Sequence, residues 1–145
     1  MKKMNKKGFT LIEMQVVIAV IAVLVSIIIP TVTSTSTKAQ AATDAANLRS
    51  VMGQLNGVLA SANKMSAQEA QGLETPPSKM YPNARLLVVY QNPGFIDAYY
   101  MLDGAYYGLD YFSDIAQTGS TSVSTAKPTG TGFEWYEAGV GAFTE

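Results

Sequence analysis

Apolar side chains dominate one stretch near the start of the chain. Within residues 11–29 the polar positions are Glu13, Gln15 and Ser26. As an α-helix this stretch would be roughly 28 Å long, close to the ~30 Å hydrocarbon core of a membrane. A buried core helix is the alternative, but a domain of this size offers little other core to surround it. The pattern therefore predicts one membrane-spanning helix.

The charges around this stretch predict its orientation and raise one question. Lys2, Lys3, Lys6 and Lys7 precede it. Because positive flanks stay in the cytoplasm, the rest of the chain is expected outside. Glu13 lies just inside the apolar run, and an acid at the bilayer centre costs about 2.5–3.5 kcal/mol on insertion scales. Glu13 is therefore predicted to have a partner or a task.

Pro30 ends the apolar stretch, and the next seven residues, 31–37, read TVTSTST. Proline removes a backbone donor and crowds the preceding helical turn. Hydroxyl and β-branched side chains are weak helix formers. The sequence predicts a kink or an interruption of the helix at this point.

Beyond this segment, apolar side chains recur at spacings of three and four residues, the period of an amphipathic helix. The repeat is too short for a coiled coil, so we predict that its apolar face packs on a sheet. Its other face is expected to meet solvent or a polar neighbour. The apolar positions are Ala45, Leu48, Val51, Met52, Leu55, Val58, Leu59 and Ala62, and the polar positions are Asp44, Asn47, Ser50, Gln54 and Ser61.

The second half of the chain has the composition of short strands and turns. Strands are predicted at residues 86–90, 98–102, 105–109 and 133–137. Ser66 and Glu69 have the spacing of a capping box, which predicts a short helix that stops at Gly72. Residues 117–132 are rich in Ser, Thr and Gly and are expected to form a loop.

Asp103-Gly104 is the preferred dipeptide of a two-residue hairpin turn. Continued along both strands, that register would set Asp97 opposite Asp110, which is unfavourable unless the strands end there or a cation intervenes. Together with Asp103 and Asp114 these acids could form a calcium site. Solvated acids at strand ends are the simpler interpretation. The turn pairs Tyr100 with Tyr107, Met101 with Tyr106 and Leu102 with Ala105.

Composition narrows the functional classes. The chain has 10 basic and 11 acidic residues and neither Cys nor His. Without the four N-terminal lysines, 6 basic residues face 11 acidic ones, which argues against a basic nucleic-acid surface. Lack of Cys and His removes the usual nucleophile and base pairs and nearly all zinc sites. We predict a protein that is not an enzyme and has no cofactor, no metal site and no direct nucleic-acid site.

Ordinary secretion is one alternative, because Ala39-Gln40-Ala41 has the small-x-small form of a signal-peptide cleavage site. Cleavage after Ala41 would release a secreted binding domain, and an uncut chain would be membrane-anchored. The apolar run exceeds the ~7–15 residues usual for a signal peptide, and nine mostly polar residues separate it from this site.

Residues 6–13, KKGFTLIE, resemble the class III signal of type IV prepilins and their pseudopilin relatives. The resemblance implies that a membrane peptidase cuts between Gly8 and Phe9 and methylates the new amino terminus at Phe9. Glu13 then stands fifth in the mature chain. Pro30 matches the family's helix-bending proline.

The resemblance also implies an α+β, pilin-like fold. A long N-terminal helix, with a membrane half and an amphipathic half, would pack on a C-terminal antiparallel sheet of about three or four strands. The expected divisions are a leader at residues 1–8, a transmembrane and filament-core helix at 9–30, the amphipathic half at 31–64, and a globular head at 65–145.

The function implied is that of a structural subunit of a type IV pilus-like filament. Its partners would be identical or related pilin subunits, the prepilin peptidase and methylase, an assembly platform and its ATPase, and the membrane before assembly at the cell surface. Glu13 would contact the amino terminus of a neighbouring subunit, or, at i, i+4 spacing, that of its own chain at Phe9. A pseudopilin of a secretion or DNA-uptake system is the alternative.

Overall fold

The computed structural model describes residues 8–62, 64–91, 95–121, 127 and 131–143. The chain divides into two compact units, Met1–Thr35 and Ser36–Glu145. The first unit contains the apolar stretch. The second contains the sheet and its hydrophobic core.

Helix α1 comprises Leu11–Ala62, with Pro30 inside it. The predicted interruption after the apolar stretch is therefore wrong. The hydroxyls of the following segment donate to carbonyls one turn earlier, as Thr33 Oγ1 does to Ile29 O at 3.2 Å and Thr35 Oγ1 to Thr31 O at 2.9 Å. Weak helix formers are thus accommodated within the helix because their polar groups bond to its backbone.

The C-terminal part of α1 supplies one side of the core in the second unit. Its buried positions recur at helical spacing, as the sequence predicted, whereas Ala62 is exposed. Asp44 is a correction, because it was assigned to the polar face and is fully buried. The buried positions are Ala41, Asp44, Ala45, Leu48, Val51 and Leu55.

A loop contact explains the burial of Asp44. Its carboxylate accepts hydrogen bonds from Ser78 Oγ at 2.6 Å, from the Lys79 amide at 2.6 Å and from the Met80 amide at 3.0 Å. A buried acid is tolerated when such donors satisfy it. Asp44 therefore holds the loop before the sheet against α1.

The sheet confirms the α+β class, with five antiparallel strands where three or four were expected. Their order is β3-β2-β1-β4-β5. The shortest strand, β5, has no alternation that could have predicted it. The strands are β1 Arg85–Gln91, β2 Phe95–Leu102, β3 Ala105–Tyr107, β4 Glu134–Glu137 and β5 Gly141–Ala142.

The hairpin register is confirmed. Tyr100 pairs with Tyr107, Met101 with Tyr106 and Leu102 with Ala105. The turn places Asp103 at φ 50° and Gly104 at φ 79°, the left-handed conformations that a tight hairpin turn requires.

The strand predicted at residues 105–109 is too long. β3 ends at Tyr107, Gly108 is the N-cap, and helix α3 follows at Leu109–Thr118. Tyr111, Phe112 and Ile115 are buried at helical spacing, which drives this helix onto the core. Asp110 therefore lies in a helix and is not a strand partner of Asp97, which pairs with Val89.

The short helix α2, Ala67–Gln71, confirms the predicted helix but only half of the capping box, because Glu69 Oε2 is buried without a hydrogen-bond partner. Ser66 Oγ accepts the Glu69 amide at 3.4 Å, and Gly72 caps the other end. The predicted loop starts after α3, whose end at Thr118 is capped by Gly119. Residues 122–126 and 128–130 of that loop lie outside the described residues.

Candidate functional site

The first turn of α1 carries the acid that the sequence singled out. Thr10 precedes the helix, and its carbonyl accepts the Met14 amide at 3.3 Å. Glu13 Oε2 accepts the Thr10 amide and the Thr10 hydroxyl, each at 2.7 Å. In return the Glu13 amide donates to Thr10 Oγ1 at 3.3 Å. This reciprocal set is a capping box, which satisfies amides that a helix start leaves without partners.

Sequence reasoning missed this partner of Glu13, although the signal was present. Residues 10–13 read TLIE, the Thr-x-x-Glu pattern that places a hydroxyl at the N-cap and a carboxylate three positions later. Negative charge at a helix N-terminus is also favoured by the helix dipole. The acid is thus compatible with the helix start before any second chain is considered.

Phe9 and Gly8 lie before the N-cap, outside the helix. Both residues are exposed, and Phe9 retains 83 % of its accessible surface. In the uncut chain, therefore, Phe9 and Glu13 do not share a helix face. The structure brings Gly8, Phe9 and Glu13 to the same helix end, whereas Pro30 lies farther along α1.

The surface of the apolar stretch is exposed throughout. Its large apolar side chains retain between 43 and 85 % of their accessible surface. An 18-residue window has a mean hydropathy of 2.9 and none of it is buried. By length and composition α1 can cross a membrane. Such a surface requires lipid or other protein around it.

The acids considered for calcium do not form one site. Asp97 and Asp110 line the same cavity, but Asp103 lies in the hairpin turn and Asp114 is exposed on α3. Among the described residues no group of three or more acidic side chains has the arrangement of a metal site.

One comparison bears on the helix end. Residues 3–29 match the family model described as the prokaryotic N-terminal methylation motif. The chain is consistent with a type IV pilin-like protein. No curated protein and no solved structure matches it significantly.

The matched segment contains Gly8, Phe9 and Glu13 and stops one residue before Pro30. Type IV pilin-like proteins are structural, and their motif implies a prepilin peptidase and an assembly system in general. The apolar helix near the amino terminus fits a membrane-anchored precursor.

Proposed function

We propose that this chain is a structural subunit of a type IV pilus-like filament, without enzymatic activity. It is made as a single-pass precursor in the cytoplasmic membrane and cut between Gly8 and Phe9. Phe9 then becomes the N-methylated first residue. A membrane assembly platform, driven by its ATPase, moves the subunit into a filament at the cell surface.

The single observation that carries the proposal is the position of Glu13 within the methylation motif. Cleavage would create a positive amine at Phe9, one residue before the Thr10 cap. Both contacts that the structure gives the Glu13 side chain use Oε2. We assign Oε1 to the amine of a neighbouring subunit, because a charged acid in a low-dielectric setting is stabilised by an opposite charge.

Contact with a neighbour receives more support than contact with the chain's own amino terminus. In the uncut chain the helix starts at Leu11, so Phe9 lacks the helical i, i+4 relation to Glu13. The Thr10 amide already provides the same-chain donor. An intermolecular contact would also define the axial register between subunits, which an intramolecular one would not.

The exposed apolar side chains of residues 11–29 would serve in two environments. In the precursor they would face lipid, and in the filament they would pack on other subunits. Because lipid and protein interiors are similarly apolar, this transfer changes hydrophobic burial little. The Glu13 contact is therefore proposed to select the docked position.

The buried position of Ala41 argues against ordinary secretion with cleavage after this residue. Ala41 is helical and fully buried among the core residues of the second unit. Cleavage after it would remove a residue of that core and expose its neighbours. No observation on the described residues favours a pseudopilin over a pilus subunit.

Substitution at Glu13 tests the proposal. We expect Glu13→Ala to insert and to be processed normally, and to lower filament yield at least about tenfold, as loss of a contact worth ~1.4 kcal/mol would do. Ser26→Ala is the matched control, because the Ser26 hydroxyl donates to Val23 O of its own helix at 2.7 Å. Parental filament yield from Glu13→Ala would overturn the proposal.

A further inference from the structure

The second unit contains a cavity of about 320 Å³ at the junction between the end of β3 and the start of α3. This is within the size range of small-molecule sites. Two aspartates and three tyrosines are among the residues that line it. They are Asp97, Asp110, Tyr99, Tyr106 and Tyr111.

The wall is held in place by contacts behind it. Tyr99 donates its hydroxyl to Asp97 Oδ2 at 2.5 Å, and its ring lies 6.0 Å from that of Trp135. Tyr106 packs edge-on against Trp135, with 5.5 Å between ring centroids. Binding to a preformed wall avoids the entropy cost of ordering mobile side chains.

Two further contacts fix the remaining side of the cavity. The Tyr111 and Tyr81 hydroxyls lie 2.6 Å apart. A Cβ on Gly108 would lie 2.8 Å from Tyr99 Cε1, so only glycine allows the ring to approach this closely. Each ring is therefore supported by other side chains or by the backbone.

Two acidic side chains, Asp97 and Asp110, give the cavity negative charge. Among the described residues the salt bridge found joins Arg85 to Glu137, and neither Asp97 nor Asp110 forms a salt bridge. Both carboxylates also influence the pKa of the Tyr99 phenol. Burial, the hydrogen bond to Asp97 and the charges of Asp97 and Asp110 raise the pKa of its phenol.

Aromatic faces next to acids attract organic cations through their quadrupoles. The chain already uses one of these rings in that way. Lys127 Nζ lies 5.5 Å from the centroid of the Tyr106 ring and 5.6 Å from that of Trp135. Calcium fits less well, because it takes 6–8 oxygen ligands and Asp97 already accepts from the Ala98 amide and the Tyr99 hydroxyl.

We propose that this cavity binds an alkylammonium group. The group comes from a small free amine or quaternary ammonium compound, or from a lysine side chain of a second copy of this chain. Its charge faces Asp97 and Asp110, and its carbon substituents contact the tyrosine rings.

Choline is the probe for the test, with its uncharged isostere 3,3-dimethylbutan-1-ol as the matched ligand control. The full chain is studied in a maltoside detergent, which carries no ammonium group. Trp135 is the single tryptophan of the chain, so its fluorescence follows the adjoining rings. We expect saturable choline binding with a Kd of about 1 mM and no comparable response to the alcohol.

Paired variants separate the cavity from general surface charge. The double variant Asp97→Asn with Asp110→Asn should raise the choline Kd at least about tenfold, because the ammonium charge loses its attraction to the two carboxylates. Asp103→Asn with Asp114→Asn changes net charge equally away from the cavity and should leave the Kd unchanged. Near-UV circular dichroism verifies that both variants fold.

Sedimentation then identifies the source of the group. Self-association that choline reverses, and that the Asp97 and Asp110 variant lacks, assigns the cavity to a lysine of a second copy. Choline binding without such self-association assigns it to a free ammonium compound. Either result supports the proposal. No saturable choline binding, equal binding of the alcohol, or equal weakening in the control variant would overturn it.

Discussion

Thr10 donates both its amide and its hydroxyl to one oxygen of Glu13, at 2.7 Å each. The carboxylate thus has two functions at the helix start. It completes the first turn of its own chain, and in the proposed filament it also receives a neighbour's amine. A change that weakens the cap should therefore make the position of Glu13 Oε1, the oxygen assigned to the neighbour's amine, less well defined.

Thr10→Val should loosen the cap while keeping the amide and the shape of the side chain. Loss of a hydroxyl cap costs about 1 kcal/mol, so the Glu13 amide, which donates to the Thr10 hydroxyl, should exchange with solvent about fivefold faster. Hydrogen exchange in detergent micelles measures this. Thr31→Val, which removes a hydroxyl bonded to Ile27 O within the helix, is the control. Equal exchange rates in the parent and Thr10→Val would contradict the role given to the cap.

Asp44→Ala should destabilise the second unit strongly. Three donors would lose their acceptor, among them the buried Ser78 hydroxyl, and we expect a loss of about 3 kcal/mol in the free energy of unfolding. Asp44→Asn should lose less, because one side-chain oxygen remains. Urea unfolding followed by near-UV circular dichroism gives the values. Asp114→Ala, at an exposed site, should change stability by less than ~0.5 kcal/mol. An Asp44→Ala chain as stable as this control would contradict the account of the buried acid.

Two glycine-to-alanine substitutions should have opposite signs. Gly57 lies in α1 with open space around it, so alanine should stabilise by about 0.5–1 kcal/mol. At Gly108 the new methyl would meet the Tyr99 ring, and overpacking of this kind costs about 1–3 kcal/mol. Thermal unfolding of both variants compares them directly. Stabilisation by Gly108→Ala would show that the Tyr99 ring is not held as described.

Stability should fall in strong alkali. Burial, aided by the charge of Asp44, raises the pKa of Tyr100 from 10.0 to about 12. The folded state keeps the Tyr100 proton to higher pH than the unfolded state does. The protonated phenol therefore contributes fully to the free energy of unfolding below pH 10, and this contribution disappears as pH rises toward 12.

Tyr100→Phe removes that contribution. The variant also loses the hydrogen bond from the Tyr100 hydroxyl to Pro76 O, so it should be less stable at neutral pH. Its free energy of unfolding should nevertheless change less steeply between pH 10 and pH 12. Urea titrations across this range measure both slopes, and parallel slopes would refute the assignment to Tyr100.

Local patterns predicted those parts of the fold whose causes are local. Asp103 and Gly104 specify the hairpin turn by their backbone preferences, and the register of three residue pairs follows from it. The spacing of Leu48 and Leu55 specifies the buried face of α1.

Parts that depend on distant contacts could not be predicted in this way. Asp44 sits on the polar side of the helical period, and its partner Ser78 lies 34 residues farther along. Tyr111 and Phe112 suit a strand as well as a helix, so only the core that they enter selects α3. For the helix end, the sequence singled out Glu13 as an acid that needs a partner, and the same four residues contain the pattern of its cap at Thr10.

The amino terminus of the mature chain tests the central claim most directly. Mass spectrometry of protein purified from cells should find N-methylated Phe9 as the first residue. An unmethylated chain that still contains residues 1–8, or one that begins at Ala42, would contradict the claim that this is a processed filament subunit.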